Sequence, residues 1–113
     1  MNDTLFSKII DKSIPADIIY EDDVCVAFRD IAPQAPVHFL VVPRKPIERI
    51  GTMTKEDESI VGHIHSVIAK LAEKENIGDA FRVVSNSGAD AGQSVFHLHF
   101  HVLGGRSLTW PPG

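Results

Sequence analysis

The spacing of apolar and polar residues changes period several times along the chain, and each change marks an element. Leu5, Phe6, Ile9 and Ile10 follow helical spacing and predict a short helix capped by Asp3, which Pro15 ends. Extended stretches follow at Ile18–Tyr20 and Val24–Arg29, separated by the acidic turn Glu21-Asp22-Asp23. Residues 31–36 contain Pro33 and Pro36 and read as irregular, since proline removes backbone donors. Val37–Val42 is an apolar run interrupted only by His38, a buried strand stopped by Pro43. Thr54 with Asp57 reads as a capping box that opens one long helix, Lys55 to Glu75. Its buried stripe is Ile60, Ile64, Val67, Ile68 and Leu71, and Gly78 is the expected terminator. Phe81–Ser85 predicts a further strand, residues 86–94 a loop with Gly88 and Gly92, and Val95–Leu103 the last strand. Gly104-Gly105 releases a proline-containing tail. Five strands with one long and one short helix, and no strand–helix alternation, predict an α+β fold with an antiparallel sheet. We find no repeat, low-complexity segment or linker, so residues 1–113 read as a single domain.

Composition narrows the function classes. The chain is 43% hydrophobic and 23% charged, enough for one modest core. Domains this small often cover an apolar face by dimerising. A net charge of −4 argues against a duplex nucleic-acid surface, so a nucleotide partner would be a small molecule held in a pocket. The single cysteine, Cys25, forbids an intrachain disulfide and fits a reducing compartment. It reads as a packed strand residue, because no histidine lies near it in sequence to activate a thiolate. The polar start of the chain and the absence of a long apolar run predict neither signal peptide nor membrane span, and hence a cytoplasmic protein.

The chemistry concentrates in Phe96-His97-Leu98-His99-Phe100-His101-Val102-Leu103. On a strand, His97, His99 and His101 would share one face while Leu98, Phe100 and Val102 face the core. Packing alone does not explain three alternating imidazoles. Alternate residues stand about 6.7 Å apart, so the outer two are roughly 13 Å apart at the backbone. Such a line suits a phosphate and its leaving atom better than one metal ion. Imidazole can act there as nucleophile, base or acid. The preceding loop, residues 85–94, is rich in small residues able to form an anion nest, with Gln93 and Ser94 as side-chain donors. It lacks the Gly-Lys-Ser/Thr of a phosphate-binding P-loop, so triphosphatase activity is not indicated.

Asn86 through Gly104, with Ala91, Gln93, Val95 and the run 97–103, resembles the signature of the histidine triad (HIT) superfamily. The resemblance extends over nearly the whole chain. Asp3-Thr4-Leu5-Phe6, Ile14-Pro15-Ala16, Ala27–Ile31, Pro33–Phe39 and the terminal Trp110-Pro111-Pro112-Gly113 resemble the Hint branch, the purine nucleoside phosphoramidases. Leu103-Gly104-Gly105-Arg106 favours that branch over the diadenosine-polyphosphate hydrolases, where proline usually follows the triad.

The resemblance implies that His99 is a nucleophile forming a nucleotidyl-histidine intermediate that water hydrolyses. It places His101 on the phosphate or leaving group, has His97 order the row, and puts His38 behind His99 to manage its proton. Asp30 would accept from ribose hydroxyls, and Asn86, Gly92, Gln93 and Ser94 would surround the phosphate. Leu5, Phe6, Ile9, Ile14, Phe28 and Ile31 would line the base pocket. It further implies a homodimer with a continuous ten-stranded sheet, in which the tail, residues 105–113, reaches the partner's site and Trp110 shapes leaving-group preference. No metal or cofactor is implied.

Two features depart from the pattern or lie outside it. Pro46 stands where animal relatives commonly carry histidine, and its expected effect is on loop shape. His63 and His65 are extra histidines on different faces of the long helix, which disfavours a joint metal site. Glu56-Asp57-Glu58 and Glu21-Asp22-Asp23 read as solvated caps and turns. Three functions compete. The first is a phosphoramidase acting on purine (AMP or GMP type) substrates. The second is a purine mononucleotide-binding module that acts through protein partners, with incidental hydrolysis. The third is a zinc protein built on His38, His97 and His99.

Overall fold

The computed structural model describes residues 3–113; the readings that involve Met1 and Asn2 lie outside the described residues. The element order is α1 (Leu5–Ile10), β1 (Ile18–Glu21), β2 (Cys25–Arg29), β3 (Val37–Pro43), α2 (Glu58–Lys74), β4 (Phe81–Val84) and β5 (Phe100–Gly104). Short 3₁₀ turns lie at Ile50–Thr52, Lys55–Asp57 and Ala89–Ala91. The five strands form one antiparallel sheet in the order β1-β2-β3-β5-β4. This is the α+β architecture that the apolar pattern predicts, with five strands, one long helix and one short.

Alternation along the central strands divides the core into two layers. Phe39 and Val41 of β3, with Phe100 and Val102 of β5, pack under α2 against Ile64, Val67, Ile68, Leu71 and Ala72. Leu40 and Val42 face the other way and meet Phe6 and Ile9 of α1 together with Val26 and Phe28. Each fully buried Ile, Leu or Phe contributes about 1.5–3 kcal/mol, so the pairing of β3 with β5 is fixed by both layers. Gly104 ends β5 beneath Ile77, where a Cβ would come within 2.8 Å of the Ile77 side chain.

Several boundaries differ from the sequence reading. Thr4, not Asp3, caps α1: its hydroxyl accepts from the Ser7 N–H at 3.2 Å, while the Ser7 hydroxyl accepts from the Thr4 N–H at 2.8 Å. Lys55–Asp57 is a 3₁₀ turn preceding α2 and not its first turn, although the Thr54 N–H does donate to the Asp57 carboxylate at 2.9 Å. Ile60 is only partly buried. The long helix ends at Lys74, and Asn76, at φ 63°, makes the left-handed turn expected of Gly78. Strand β4 stops at Val84, one residue early.

The largest difference concerns the last strand, which begins at Phe100 and not at Val95. Pairing with β3 runs only from Val37↔Gly104 to Val41↔Phe100. Beyond it β3 reaches Pro43, which has no N–H to donate, and the chain turns away through Pro46. By that register Leu98 would fall opposite Pro43 and residues 95–97 beyond the end of β3, so the ladder is not continued there. They are tied instead by single bonds such as Leu98 N–H to the Ile47 carbonyl at 2.7 Å.

Candidate active site

Register sets the centre of the site. His101 lies across from Leu40, and His38 across from Leu103, so both histidines belong to the α1 face of the sheet, diagonal neighbours on adjacent strands. His38 Nε2 and His101 Nδ1 are 2.9 Å apart. His99, just before β5, packs its ring edge-on against Phe6 at 4.8 Å and against His101 at 5.1 Å between centroids. His97 is 1% exposed, with its Nε2 on the Pro43 carbonyl. His97 and His99 both precede β5, so they are oriented by single bonds to the Pro43 and His97 carbonyls and not by the strict strand alternation expected of the three histidines.

The hydrogen-bond partners determine each neutral tautomer, since a backbone N–H can only donate and a carbonyl can only accept. His97 Nε2–H donates to the Pro43 carbonyl at 2.7 Å, leaving its buried Nδ1 without a partner. His99 Nδ1–H donates to the His97 carbonyl at 2.8 Å, which leaves His99 Nε2 as a bare lone pair. On His38 the order is reversed. Its Nδ1 accepts from the Gln34 N–H at 3.0 Å, so the proton resides on Nε2 and is donated to His101 Nδ1. His101 consequently carries its own proton on Nε2, at the far edge of its ring. A bare imidazole nitrogen thus stands beside an imidazole N–H donor.

Burial favours the neutral forms. It lowers His97, and a backbone bond to Pro43 only partly offsets this. It also lowers His99, against the bond to His97 and the Asp30 charge. His38 is lowered by burial with Asp30 opposing. His101 is held down to about 4 by burial first, then by His99 and His38. All four are uncharged at neutral pH, the state a nitrogen nucleophile requires.

The expected position of His38 behind His99 is corrected: its bond is to His101. The zinc set His38, His97 and His99 does not converge: those three do not bring donor atoms within 4.8 Å of one another. The donors that do lie within 4.8 Å of one another are Asp30, His38 and His101. Asp30 Oδ2 is 3.4 Å from His38 Nε2, and Oδ1 accepts from the Ala32 N–H at 2.8 Å. Asp30 therefore both shapes the following turn and faces the histidines.

The remaining predicted residues divide into groups. Phe6, Ile9 and Phe28 are buried in the α1 layer with Ile14 packed on it, while Leu5 is 49% exposed and Ile31 96% exposed. Gln93 is buried and does not offer its amide to a ligand. Its Nε2 donates to the carbonyls of Glu48 and Val95, and its Oε1 accepts from the Gly88 N–H. The N–H groups of Ala91, Gly92 and Gln93 are likewise bonded within the loop, so the expected anion nest is largely closed on itself. Gly92, at φ 101°, turns the chain beneath the Asn86 amide, with Ser94 exposed beside it. Trp110 is 80% exposed, and the tail before it is pinned where Arg82 donates to the Thr109 carbonyl at 2.9 Å.

Residues 11–108 match the HIT domain family. The chain belongs to it. An uncharacterised HIT-like protein of Synechocystis sp. is 54% identical over 111 residues, covering 98% of this chain and 97% of that protein. The crystal structure of a HIT family hydrolase from Legionella pneumophila superimposes with a TM-score of 0.96 at 43% identity, covering 98% of this chain and all of that one. A more distant relative, the histidine triad nucleotide-binding protein of Candida albicans, gives a TM-score of 0.82 at 26% identity, over 96% and 83% of the two chains.

Within this HIT domain, three functional or supporting groups escape sequence reasoning. Gln34 supplies the N–H that orients His38, and the Ser85 hydroxyl donates to the His99 carbonyl at 2.9 Å. Loop position alone gives no signal for either. The third is His63, which the fold brings to the Cys25 side: its Nε2 is 2.6 Å from Asp22 Oδ2, and Asp22, Cys25 and His63 form a cluster. The absence of a histidine near Cys25 in sequence is therefore not an absence in space. Even so, burial pushes the Cys25 thiol up to about 12, so it remains a packed strand residue. Asp22 is saturated by His63, the Tyr20 hydroxyl and the N–H groups of Val24 and Cys25, which makes the cluster a clamp between α2 and the β1–β2 turn. No helix among the described residues is long and apolar enough to cross a membrane.

Proposed function

We propose that this HIT domain protein is a purine nucleoside phosphoramidase of the Hint branch, cleaving the P–N bond of nucleoside 5′-phosphoramidates or aminoacyl-type adenylates. The observation that carries the reading is the pair of opposite tautomers. His99 presents a bare Nε2 while its neighbour His101 presents an Nε2–H. His99 Nε2 attacks phosphorus and forms an N–P bond as the bond from phosphorus to the amine breaks. The anionic phosphate raises the proton affinity of His101, which takes up a proton from solvent, delivers it to the leaving amine and returns to its neutral form. Water then attacks phosphorus, its proton passing to neutral His101 and on to solvent, the His99–phosphorus bond breaks, and the mononucleotide leaves with His99 restored. The His101 Nε2–H is a fixed donor for the charge that phosphoryl transfer develops on oxygen.

The purine partner rests on the apolar layer of Phe6, Ile9 and Phe28 beside His99, with exposed Leu5 and Ile31 as flaps of the same pocket. Asp30 is the ribose acceptor, and Asn86, Gly92 and Ser94 flank the phosphate. The name of the Candida albicans relative, a nucleotide-binding protein, supports the substrate class. The working unit is a cytoplasmic homodimer joined through the outer edge of β4, the last strand in the sheet order, with Trp110 of the tail reaching the partner's site.

Hydrolysis of an adenosine phosphoramidate by wild type and His99→Ala, both treated with chelator, tests this reading. Chelator-resistant turnover that collapses in the variant is expected. Nucleotide binding without turnover in either protein would replace the enzyme with a binding module.

A further inference from the structure

The proton on His101 is set from outside the histidine cluster. His101 Nδ1 accepts from His38 Nε2–H, and His38 is locked in that tautomer because its Nδ1 receives the Gln34 N–H at 3.0 Å. Gln34 lies on an exposed loop between Pro33 and Pro36. Its own side chain reaches back to the Ala32 carbonyl at 2.9 Å, a bond within the loop. The hold from elsewhere in the chain is Arg106: its Nε and Nη2 both donate to the Gln34 carbonyl, at 3.1 and 3.0 Å. Arg106 is itself braced by donating through Nη1 to the Ser107 carbonyl at 2.9 Å. A second contact clamps the same place. Gly105, at φ 91°, lies so close to Pro36 that a Cβ there would stand 3.0 Å from the Pro36 Cβ.

We infer that Arg106 is a positioning residue, which through the Gln34 backbone fixes the proton of His38 on Nε2 and so the donor edge of His101. This deepens the proposed phosphoramidase reading and rests on it for its catalytic consequence. Two guanidinium bonds on one carbonyl restrict the backbone rotation at Gln34 that would carry its N–H away from His38. Without them the Gln34 N–H no longer opposes a proton on Nδ1, the Asp30 carboxylate 3.4 Å from Nε2 is the remaining hold, and the neutral His38 populates both tautomers. When it lies on Nδ1, His38 Nε2 becomes an acceptor facing His101 Nδ1. His101 then takes its proton on Nδ1, and its outer Nε2 becomes bare where the leaving amine needs a donor. The tail that begins at Gly105 is in this way coupled to the chemistry through one carbonyl.

The test uses the full-length chain labelled with ¹⁵N at histidine. Long-range ¹H–¹⁵N correlation at neutral pH reads which nitrogen of each ring is protonated. In wild type, His38 and His101 are expected as Nε2–H tautomers and His99 as Nδ1–H. In Arg106→Ala, His38 and His101 should become tautomer mixtures while His99 keeps its form. With the phosphoramidate substrate kcat should fall about tenfold, part of the 10²–10⁴ a positioned acid supplies, with KM nearly unchanged. Arg106→Gln, which keeps one amide donor, should restore part of both signals. Unchanged His38 and His101 tautomers in Arg106→Ala, or a wild-type His101 protonated on Nδ1, would overturn the inference whatever the turnover. Tautomers that shift as described in a protein with no turnover would uphold the positioning role and remove the phosphoramidase reading instead.

Discussion

Acid should destabilise this protein well before its carboxylates titrate, and His101 should be a principal cause. Its ionisation is held down from 6.5 to about 4, chiefly by burial and then by His99 and His38. A group whose folded value is depressed binds fewer protons in the native state than in the unfolded chain throughout that window. Its stabilisation is therefore complete above about pH 6.5 and is lost as pH falls toward 4. Protonating an imidazole there costs 1.36 kcal/mol per pH unit, so the interval of roughly 2.5 units amounts to about 3 kcal/mol from His101 alone. His38, His97 and His99 are depressed as well and add with the same sign. Asp22, also held low, acts only below its usual value of 3.8 and so in a separate window. Urea melts at half-unit steps from pH 7.5 to 4.5, on wild type and His101→Asn, measure the effect. Wild-type stability should fall through this range, and the variant should show a slope shallower by about 1 kcal/mol per pH unit between pH 6 and 4.5. Flat stability across the interval, or equal slopes in the two proteins, would refute the reasoning.

Other substitutions probe the packing that holds the site. Gly104→Ala places a Cβ against Ile77 at 2.8–3.0 Å and should cost about 1–3 kcal/mol in urea melts, since the contact is side chain on strand backbone with little room to move. Lys45→Met removes the 2.6 Å partner of the buried Asp57 carboxylate, which the Thr54 N–H alone then holds. It should lower stability at pH 7, and the difference from wild type should shrink only as pH falls below 3.8 and through the lowered Asp57 value.

How far the sequence foretells this molecule depends on whether the deciding interaction is local. The two-layer core is legible because β3 and β5 alternate and α2 carries a 3.6-residue stripe, and these periodicities follow from local geometry. The short helix is legible too, though its cap falls to Thr4, because only a residue whose hydroxyl pairs reciprocally with Ser7 satisfies both backbone donors. The start of β5 is not legible. His97 and Leu98 continue the strand pattern, yet in the β3–β5 register Leu98 falls opposite Pro43, which has no N–H, and His97 beyond the end of β3. The tautomers of the four histidines are likewise beyond sequence reading. They depend on Pro43, Gln34 and the His97 carbonyl, groups whose proximity only the fold creates. Gln93 is the sharpest case: its amide looks like a phosphate donor in sequence, and in space both of its N–H groups hold the loop.

The central claim is that His99 becomes covalently bonded to phosphorus. An acid-free quench of the enzyme during turnover of an adenosine phosphoramidate, followed by intact-protein and peptide mass spectrometry, tests it most directly. The account predicts a transient nucleotidylated protein with the modification on His99, which disappears as substrate is exhausted and never forms in His99→Ala. Turnover with no modified protein at any time resolved before the steady state, or modification of another residue while His99→Ala remains active, would contradict it.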